Sequence, residues 1–505
     1  MTKTLEELAL LIDGSKIVGN KNVEITGIEH DSRKIKFGNI FVCMEGVHVD
    51  GHKFIKQAKA KGAVAILTAR QDFHTDELPI LIIPDMLKSL AVIVPYFYDY
   101  PSKNFRVIGV TGTNGKTTTT YMIRAILMAA GFKVGLIGTI QMMIGDEIFP
   151  VKNTTPNVID LQHTLYEMSE KKVDFVVMEV SSHALAENRI SGIEFDTAIF
   201  TNLTQDHLDY HKTMDNYREA KAKLFDLVSR AGTKPNKNAV INLDDAAGAV
   251  MLEHTLCNKI TYGIESNCDL RAVGVDVKAE GTSFKIGIRQ QGAGISNSAD
   301  LSLNLHVTGI FNVYNVLAAA GAMLAEKIPP NVIKSALENF KSVHGRFEKI
   351  FADIPFTIIV DYAHTPDGMK NVLETARQIV KNRIITVFGC GGDRDNTKRP
   401  IMGSIAAELS DIVIVTSDNP RSENPADIIS QIEVGIKEKI GDKTFESIVD
   451  RRKAIYRAIE IAQAGDIILI LGKGHENYQI LKDETIHFDD REVALEGIKN
   501  LELRI

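Results

Sequence analysis

RVIGVTGTNGKTT, residues 106–118, decides the fold of this 505-residue chain. Residues 106–110 are rich in β-branched side chains, which is typical of a buried parallel strand. A glycine-rich turn follows and leads into a predicted helix, Thr117–Ala130. Glycines let a backbone close around phosphate oxygens, and the N-terminus of a helix directs its amide hydrogens at them. The order strand, loop, helix therefore predicts a phosphate-binding loop in an α/β fold.

The residue types in this loop suit a nucleoside triphosphate. Lys116 is placed to reach the β- and γ-phosphates, and the hydroxyl of Thr117 to bind Mg²⁺. The strict G-x-x-x-x-G-K-[ST] spacing is not met, because Val110 takes the first glycine position and Gly112 stands three residues before Gly115. We predict ATP binding, although a kinase, a transport ATPase, a switch GTPase and a ligase all stay open. The predicted ATP-binding residues of the loop are Gly112, Thr113, Asn114, Gly115, Lys116, Thr117 and Thr118.

Strands and helices alternate on both sides of the loop, which favours an α/β class with a doubly wound, mostly parallel central sheet. Residues 270–307 instead alternate polar and apolar positions, so we predict antiparallel strands there. The other predicted strands are Ile40–Met44, Ala63–Leu67, Lys133–Ile137, Phe175–Val180, Thr197–Thr201, Ala239–Leu243, Phe356–Val360, Ile384–Phe388, Ile412–Thr416 and Ile467–Leu471. The other predicted helices include His52–Lys61 and Asn312–Glu326.

Length and two linkers predict three domains. At roughly 150 residues per domain, the chain contains about three. The predicted linkers are Tyr98–Asn104, which contains a proline among polar residues, and Lys341–Arg346. The domains are then 1–102, an α/β domain, 103–340, the P-loop domain, and 341–505, a Rossmann-like α/β domain.

Composition excludes several classes of protein. The chain has 58 Lys and Arg against 65 Asp and Glu, and the net charge of −7 argues against a general binder of nucleic acid or anionic membranes. No apolar run approaches the roughly 18 residues that suggest a membrane-spanning helix. The N-terminal stretch is acidic and amphipathic, unlike a signal peptide. The four cysteines lack C-x-x-C spacing, which fits a reducing compartment. We therefore expect a cytoplasmic protein without nucleic-acid or membrane partners.

Polar residues follow two further predicted strands, with Glu179 near the end of one and His207 in the loop after the other. Ligands of open α/β sheets bind at the carboxyl ends of strands, so both are candidate Mg²⁺ ligands. Mg²⁺ prefers oxygen, however, and on its own His207 fits a hydrogen-bonded loop residue better. We interpret His183 and His211 as structural, and Lys221 as a solvated helix lysine.

Nine ordered motifs carry a resemblance that covers almost the whole chain. They are TGTNGKTT (111–118), NTTP (153–156), EVSSHAL (179–185), TNLTQDHLDYH (201–211), HGRFE (344–348), DYAHTPDGM (361–369), GCGGDRD (389–395), DNPR (418–421) and GKGHE (472–476). The set resembles the Mur ligases, the ATP-dependent amide-bond ligases that build the peptide of the bacterial cell-wall precursor. Within that family it is similar to the members that add the third residue of the peptide.

The resemblance implies a ligase that adds meso-2,6-diaminopimelate to UDP-N-acetylmuramoyl-L-alanyl-D-glutamate through an acyl phosphate. It implies ATP and Mg²⁺ as cofactors, and one domain each for the UDP-sugar, ATP and the amino acid. The implied role is cytoplasmic peptidoglycan precursor synthesis, and hence cell-wall biogenesis, cell shape and cell division. We expect a monomer. The nearest alternative is the same reaction with L-lysine as the added amino acid.

The resemblance also assigns residues whose own pattern leaves their roles open. It implies that Lys221, in a Y-x-x-A-K segment, is carbamylated, which replaces its interpretation as a solvated lysine. The implied catalytic residues are Lys116, Glu179, His207 and Lys221. The implied Mg²⁺ ligands are Thr117, Glu179, His207 and carbamylated Lys221. Further implied nucleotide contacts are Asn315, Arg346 and Asp361. The implied UDP-sugar contacts are Ser32, Asn153, Thr154, Thr155, Ser181 and Arg189. The implied amino-acid contacts are Arg394, Asp418, Asn419, Pro420, Arg421, Gly472 and Glu476.

The D-N-P-R segment, residues 418–421, bears most directly on the choice of amino acid. Meso-diaminopimelate differs from L-lysine by a second carboxylate at its far end, and arginine binds a carboxylate through two parallel hydrogen bonds. Arg421 supplies that cation, and Glu476 suits the distal ammonium. The resemblance implies that lysine-adding relatives lack the arginine. Apart from the resemblance, a type I turn with a surface arginine is the simpler interpretation.

Two functions of other kinds stay open. A ligase similar to folylpolyglutamate synthetase would share the P-loop and the central fold, but the segment Asp31-Ser-Arg33 and the D-N-P-R segment speak against it. A nucleotide-dependent scaffold protein would have no need of Glu179, His207 and a modifiable Lys221.

Overall fold

The computed structural model describes residues 1–46, 49–151, 153–230, 232–289 and 295–502. Within these ranges no helix is both long enough and apolar enough to cross a bilayer.

The chain divides into two compact units. The first comprises Met1–Gly109, Phe132–Ala198 and Lys223–Lys237. The second comprises Val110–Gly131, Ile199–Ala222 and Asn238–Ile505. The three-domain boundaries that the sequence suggests, after residues 102 and 340, stay predictions.

Short strands and helices alternate in residues 1–105. The strands are β1 (Lys3–Thr4), β2 (Lys16–Val18), β3 (Glu24–Ile25), β4 (Gly27–Glu29), β5 (Asn39–Val42), β6 (Ala65–Thr68) and β7 (Ile80–Ile82). The helices are α1 (Leu5–Leu10), α2 (Ile55–Ala60) and α3 (Met86–Phe97), with 3₁₀ turns at Gly51–Phe54 and Pro101–Asn104. β4, β5, β6 and β7 pair in parallel, and β2 joins β7 antiparallel.

The longest run of strands lies in residues 106–340. The strands are β8 (Arg106–Thr111), β9 (Val134–Ile137), β10 (Met142–Ile144), β11 (Glu147–Phe149), β12 (Phe175–Glu179), β13 (Thr197–Phe200), β14 (Asn238–Asn242), β15 (Asn258–Gly263), β16 (Leu270–Lys278), β17 (Gly281–Arg289) and β18 (Ile295–Leu305). The helices are α4 (Lys116–Ala129), α5 (Val158–Glu170), α6 (Ser182–Ala186), α7 (Leu208–His211), α8 (Met214–Ser229), α9 (Gly248–Glu253), α10 (Ile310–Ala325) and α11 (Pro330–Asn339).

The pairing of these strands is described within each unit. In the first unit β12 runs parallel to β9, and β10 and β11 continue antiparallel from β9. In the second unit β14, β15 and β16 are parallel, and β17 and β18 follow antiparallel. The described part of 270–307 thus confirms the predicted antiparallel strands.

The last third of the chain forms a six-stranded sheet in the order β19-β20-β24-β21-β22-β23, parallel apart from β19. Its six strands are β19 (Glu348–Ile350), β20 (Thr357–Asp361), β21 (Ile384–Phe388), β22 (Ile412–Val415), β23 (Thr444–Ser447) and β24 (Ile467–Leu471). Two further strands, β25 (Tyr478–Ile480) and β26 (Thr485–His487), pair antiparallel in a separate sheet. The helices are α12 (Pro366–Ile379), α13 (Lys398–Leu409), α14 (Pro425–Lys439), α15 (Arg451–Ile461) and α16 (Asp490–Glu502).

Alternating side chains of this sheet bury two separate helix layers. On β20, Ile358 and Val360 pack into the cluster that holds residues of α15 and α16. Ile359, between them, packs into the cluster that holds residues of α12, α13 and α14. Successive residues of a strand point to opposite faces, so an all-apolar strand covers both layers. Helix layers on both faces of a mostly parallel sheet confirm the predicted α/β class.

Each predicted strand overlaps an observed one, but two helices were predicted with the wrong start. The predicted helix His52–Lys61 is a 3₁₀ turn, Gly51–Phe54, followed by α2. The carboxylate of Asp50 accepts a hydrogen bond from the backbone N of His52 at 3.0 Å, which favours the tight turn. The predicted helix Asn312–Glu326 begins earlier, at Ile310, and ends at Ala325.

Asp244 fixes the end of β15 against α10, beside a predicted nucleotide contact. Its carboxylate accepts hydrogen bonds from the backbone N atoms of residues 264–266 at 2.6, 3.1 and 2.7 Å. It also accepts one from the hydroxyl of Tyr314, the residue before Asn315, at 2.9 Å. Burial disfavours the charged form of Asp244, but these hydrogen bonds outweigh it and lower the pKa of Asp244 to about 2.

Replacing Asp244 with Asn is expected to destabilise the protein more at pH 7 than at pH 3. A carboxyl with a lowered folded-state pKa stabilises the fold above its unfolded pKa of about 3.9 and loses this effect as the pH falls towards 2. Because Asp244 is partly exposed, we expect a loss of about 1 kcal/mol at pH 7 and about half of that at pH 3.

Thermal unfolding midpoints of the wild type and D244N at both pH values test this expectation. D442N, at an exposed aspartate in a turn, is the matched control and should leave both midpoints unchanged. An equal loss for D244N at both pH values would contradict the role given to the Asp244 carboxylate.

Candidate active site

The phosphate loop joins β8 to α4 and depends on two glycines. Gly112 has φ +150° and Gly115 has φ +84°, both in the region that favours glycine. A Cβ on Gly112 would collide with the hydroxyl of Thr201, and one on Gly115 with the side-chain oxygen of Asn315. The loop therefore owes its close contacts to the missing side chains, although the strict P-loop spacing is not met.

Two lysine side chains meet at one carbonyl oxygen of this loop. Nζ of Lys116 donates to the oxygens of Gly112 and Thr113, at 2.9 and 2.8 Å. Nζ of Lys221, on α8, donates to the same Gly112 oxygen at 2.8 Å and lies 4.4 Å from the ring centre of Tyr217. Lys221 is only 1% exposed, so the interpretation of it as a solvated helix lysine is wrong. Burial, followed by the charge of Lys116, holds the pKa of Lys221 well below its ordinary value.

Residues 201–204 brace the loop from the side. The hydroxyl of Thr201 donates to the backbone oxygen of Asn114 at 2.7 Å. Oδ1 of Asn202 accepts from the backbone N of Asn114 at 2.8 Å, and its backbone oxygen accepts from the N of Thr113 at 2.9 Å. The segment belongs to the T-N-L-T-Q-D-H-L-D-Y-H motif, but sequence reasoning did not predict Thr201 and Asn202 as site residues.

Asp367, at the start of α12, is a second residue that sequence reasoning missed. Its Oδ2 accepts a hydrogen bond from Nδ2 of Asn114 at 2.8 Å and another from Nδ2 of Asn371 at 3.1 Å. The phosphate loop is thereby tied to the last third of the chain within one unit. The available signal was the position of Asp367 inside the D-Y-A-H-T-P-D-G-M motif.

Two predicted nucleotide contacts lie against α4. Oδ1 of Asn315 accepts from the hydroxyl of Thr119 at 3.4 Å. A guanidinium nitrogen of Arg346 donates to the hydroxyl of Thr117 at 3.1 Å, and the guanidinium lies 4.4 Å from the ring centre of Tyr362. The structure therefore brings Arg346 and the predicted Mg²⁺ ligand Thr117 together.

Asp361 shapes the turn that carries Arg346. Its carboxylate accepts from the backbone N of Phe347 at 2.6 Å and from that of Ala363 at 2.7 Å. Burial raises the pKa of Asp361, against the opposing effect of Arg346 and of these two N–H groups. Because Phe347 directly follows Arg346, the bond to its backbone N gives Asp361 a part in positioning Arg346.

His207 directly precedes α7 with a left-handed backbone, φ +55°, next to a buried aspartate. Nε2 of His207 lies 3.4 Å from Oδ2 of Asp206, and Nε2 of His364 lies 3.9 Å from the same oxygen. Burial of Asp206 is outweighed by the neighbouring His207, His364 and Lys398, which lower the pKa of Asp206 to about 2. Asp206 was not predicted, and it gives His207 a fixed carboxylate partner.

In the first unit, Glu179 ends β12 and is fully buried. Its two carboxylate oxygens accept from the backbone N and the hydroxyl of Thr139, at 2.8 and 3.0 Å. The hydroxyls of Thr139 and Thr154 lie 3.0 Å apart, and the hydroxyl of Thr155 donates to the backbone oxygen of Glu179 at 2.9 Å. Thr139 was missed by sequence reasoning, and it connects Glu179 with a predicted UDP-sugar contact.

Of the other predicted UDP-sugar contacts, some lie in this cluster and some elsewhere in the first unit. The backbone N of Ser181 donates to the hydroxyl of Thr155 at 3.0 Å, and Arg189 donates to the backbone oxygen of Thr155 at 3.2 Å. Asn153 is exposed next to them in the chain. Ser32 instead follows β4, where its hydroxyl donates to Oε1 of Gln57 at 3.0 Å.

The predicted amino-acid contacts meet at the ends of β22 and β24. Nδ2 of Asn419 donates to Oε2 of Glu476 at 2.8 Å. Gly472 has φ +112°, and a Cβ there would lie 2.6 Å from the carboxylate of Asp418. The structure therefore brings these four residues together and requires a glycine at one of them.

The D-N-P-R segment is not a surface turn. Asp418, Asn419 and Pro420 are buried, so that interpretation is wrong. Arg421 is half-buried with φ +52°, and its Nη1 donates to the backbone oxygen of Gly392 at 2.8 Å. Arg394 is exposed.

The predicted Mg²⁺ ligands differ in how well they suit the ion. Among the described residues, no three His, Cys, Asp or Glu side chains are grouped as a metal site. Thr117 and Glu179 offer oxygen atoms, which fit Mg²⁺, whereas the imidazole of His207 fits it less well. The unmodified Nζ of Lys221 is a hydrogen-bond donor to Gly112, so only a carbamate would give this side chain ligating oxygens.

Comparison with known families matches the chain in three consecutive stretches. Residues 24–96 match the family described as "Mur ligase family, catalytic domain". Residues 110–323 match the "Mur ligase middle domain". Residues 345–474 match the "Mur ligase, glutamate ligase domain".

Full-length relatives share nearly half of the sequence. A UDP-N-acetylmuramoyl-L-alanyl-D-glutamate–2,6-diaminopimelate ligase of Clostridium botulinum is 47% identical over 495 residues, 97% of this chain and 98% of that protein. One of the same name from Bacillus cereus is 46% identical over 498 residues, 98% of each. A solved structure with that name is 32% identical, with a TM-score of 0.66 over 99% of this chain and 100% of the other.

Proposed function

The chain belongs to the Mur ligase family, and we propose that it joins meso-2,6-diaminopimelate to UDP-N-acetylmuramoyl-L-alanyl-D-glutamate. Membership makes it an ATP-dependent ligase that forms an amide bond. The substrates are those in the names of its relatives. The arrangement around Asn419 supports the choice of diaminopimelate, because Glu476 and Arg421 each contact Asn419 and the distal centre of this substrate carries both an ammonium and a carboxylate.

The D-glutamyl carboxylate, the group that must react with the amine, is a poor electrophile. A carboxylate shares its negative charge over two oxygens, so an amine does not attack it readily. Transfer of the γ-phosphoryl group of ATP to the D-glutamyl carboxylate forms an acyl phosphate and releases ADP. The amine then attacks the acyl carbon, and phosphate leaves with one of the original carboxylate oxygens. Positioning and charge neutralisation supply most of the catalysis in such a reaction.

The phosphate loop provides the cations for the first step. Lys116 turns its ammonium into the loop, and we propose that it binds the phosphate oxygens of ATP there. Arg346 and Thr117 are already in contact, so a second cation reaches the same helix N-terminus. The brace of residues 201–204 and the Asp367 contact hold the loop in the shape these interactions need.

Mg²⁺, when bound, would neutralise phosphate charge and orient the phosphates. Thr117 and Glu179 are its proposed oxygen ligands, with His207 as a further proposed ligand. The proposal that Lys221 is carbamylated comes from the resemblance, and the burial of its amine supports it. Carbon dioxide adds to the neutral form of an amine, and burial, which lowers the pKa of Lys221, favours that form.

The proposed amino-acid site has complementary charges. Arg421 would bind the distal carboxylate, and Glu476 the distal ammonium, both beside Asn419. Lysine lacks that carboxylate, so the arginine supports diaminopimelate over the L-lysine alternative. We further propose that the enzyme is a cytoplasmic monomer in peptidoglycan precursor synthesis, and so serves cell shape and cell division.

A direct test is ligation by the purified enzyme with Mg²⁺, ATP and UDP-N-acetylmuramoyl-L-alanyl-D-glutamate. We expect phosphate release and a product one diaminopimelate heavier with meso-diaminopimelate, and at least about 100-fold lower kcat/KM with L-lysine, since one lost bidentate charge pair costs about 3 kcal/mol. Faster turnover with L-lysine would overturn the choice of substrate. ATP hydrolysis that needs neither co-substrate would favour the scaffold function.

Arg421→Ala should lose selectivity for diaminopimelate while keeping its affinity for ATP. Removing the guanidinium leaves the distal carboxylate without its partner, so kcat/KM for diaminopimelate should fall about 100-fold while the KM for ATP changes less than about threefold. Steady-state phosphate release measures both.

Arg377→Ala is the matched control, because Arg377 is a surface arginine of the same sheet domain that pairs with Asp411. It should leave both constants unchanged. An R421A enzyme with the wild-type preference for diaminopimelate over lysine would show that Arg421 is not the selector.

A further inference from the structure

Lys473, in the G-K-G-H-E motif, is a fully buried lysine to which the resemblance gives no role. It follows β24 in a turn that is closed by a hydrogen bond from the backbone N of Glu476 to the oxygen of Lys473, at 2.9 Å. The turn brings the two side chains together, with Nζ of Lys473 3.1 Å from Oε2 of Glu476. The ammonium also lies 5.5 Å from the ring centre of Tyr478.

The same ammonium reaches the D-N-P-R segment. Nζ of Lys473 donates to Oδ1 of Asn419 at 3.3 Å, and the backbone N of Ile480 donates to that oxygen at 2.9 Å. Two donors on Oδ1 fix the orientation of the amide, so Nδ2 of Asn419 faces Glu476 and donates to its Oε2 at 2.8 Å. Lys473, Asn419 and Glu476 thus form a closed triangle of hydrogen bonds.

Burying the three polar side chains of this triangle costs free energy, so we expect the triangle to have a role in the site. A buried ammonium loses its hydration, and a lysine has three donors and no acceptor, so it can only organise acceptors around it. Both side-chain bonds that Glu476 receives in the triangle fall on Oε2. Burial raises the pKa of Glu476, and the charge of Lys473 opposes this effect.

We propose that Lys473 is a positioning residue of the amino-acid site, which holds Glu476 as an oriented carboxylate for the distal ammonium of the substrate. It acts through Glu476 and Asn419 and does not itself contact the substrate. The inference rests on the proposed function, since it takes Glu476 to bind the distal ammonium of diaminopimelate.

Lys473→Met removes the charge and the donors while keeping a side chain of similar length. We expect the KM for diaminopimelate to rise at least tenfold, and the KM values for ATP and the UDP-dipeptide to stay within twofold. The turnover number at saturating diaminopimelate should fall less than threefold. Lys473→Arg, which restores a charged donor, should recover most of the KM. Should K473M fail to fold, Lys473→Gln removes the charge and provides the same comparison.

A double-mutant cycle separates positioning from a merely structural role. Glu476→Gln alone should raise the KM for diaminopimelate, and adding K473M to it should raise the KM less than twofold further. A structural role would instead lower turnover, raise all three KM values and add its full effect in the double variant. Either that pattern or an unchanged KM for diaminopimelate in K473M would overturn the inference.

Two controls complete the experiment. Lys443→Met is matched, because Lys443 donates to the backbone oxygens of Ala407 and Glu408, at 2.8 and 2.9 Å, away from the D-N-P-R segment. It should leave all three KM values unchanged. The wild type in the same assay tests the proposed function separately: no ligation of diaminopimelate would overturn that function, whereas normal wild-type ligation with an unaltered K473M would overturn only the role of Lys473.

Discussion

The hydrogen bonds that Lys116 and Lys221 both donate to the oxygen of Gly112 are the interaction on which the site depends. They bring two amino groups of like charge together in a buried loop, which burial and repulsion both disfavour. The pKa of Lys221 falls in response. The glycines, the brace of residues 201–204 and the Asp367 contact keep the loop closed around this pair. A loop held in this way suits the proposed binding of an anion and the proposed modification of Lys221.

The net charge of the chain conceals local groups of cations at the proposed sites. The whole chain carries a net charge of −7, yet its proposed substrates are anionic or zwitterionic. Its cations must therefore be concentrated locally, and the structure does this with Lys116 and Arg346 at α4 and with Arg421 and Lys473 at the ends of β22 and β24. The proposed amino-acid site adds Glu476, so that it offers both signs of charge to a substrate that carries both.

Strands and the phosphate loop could be predicted from the sequence, because local patterns of residues determine them. Apolar runs such as residues 384–388 correspond directly to strands, and the glycine-rich turn before α4 identifies the phosphate loop. Contacts between distant segments are not encoded locally. Thr139 with Glu179, Asp367 with Asn114, and Lys473 with Asn419 each join residues far apart in the chain. The helix pattern around Lys221 could not reveal its burial, because that depends on the loop more than 100 residues earlier.

In the proposed reaction, ATP bound at the phosphate loop phosphorylates the D-glutamyl carboxylate. The most direct measurement uses UDP-N-acetylmuramoyl-L-alanyl-D-glutamate with ¹⁸O in both oxygens of the reacting carboxylate, together with ATP, Mg²⁺ and meso-diaminopimelate. Mass spectrometry of the released phosphate should find one ¹⁸O atom for each amide bond formed, because the acyl-phosphate oxygen leaves with phosphorus. Amide formation with unlabelled phosphate would contradict the account.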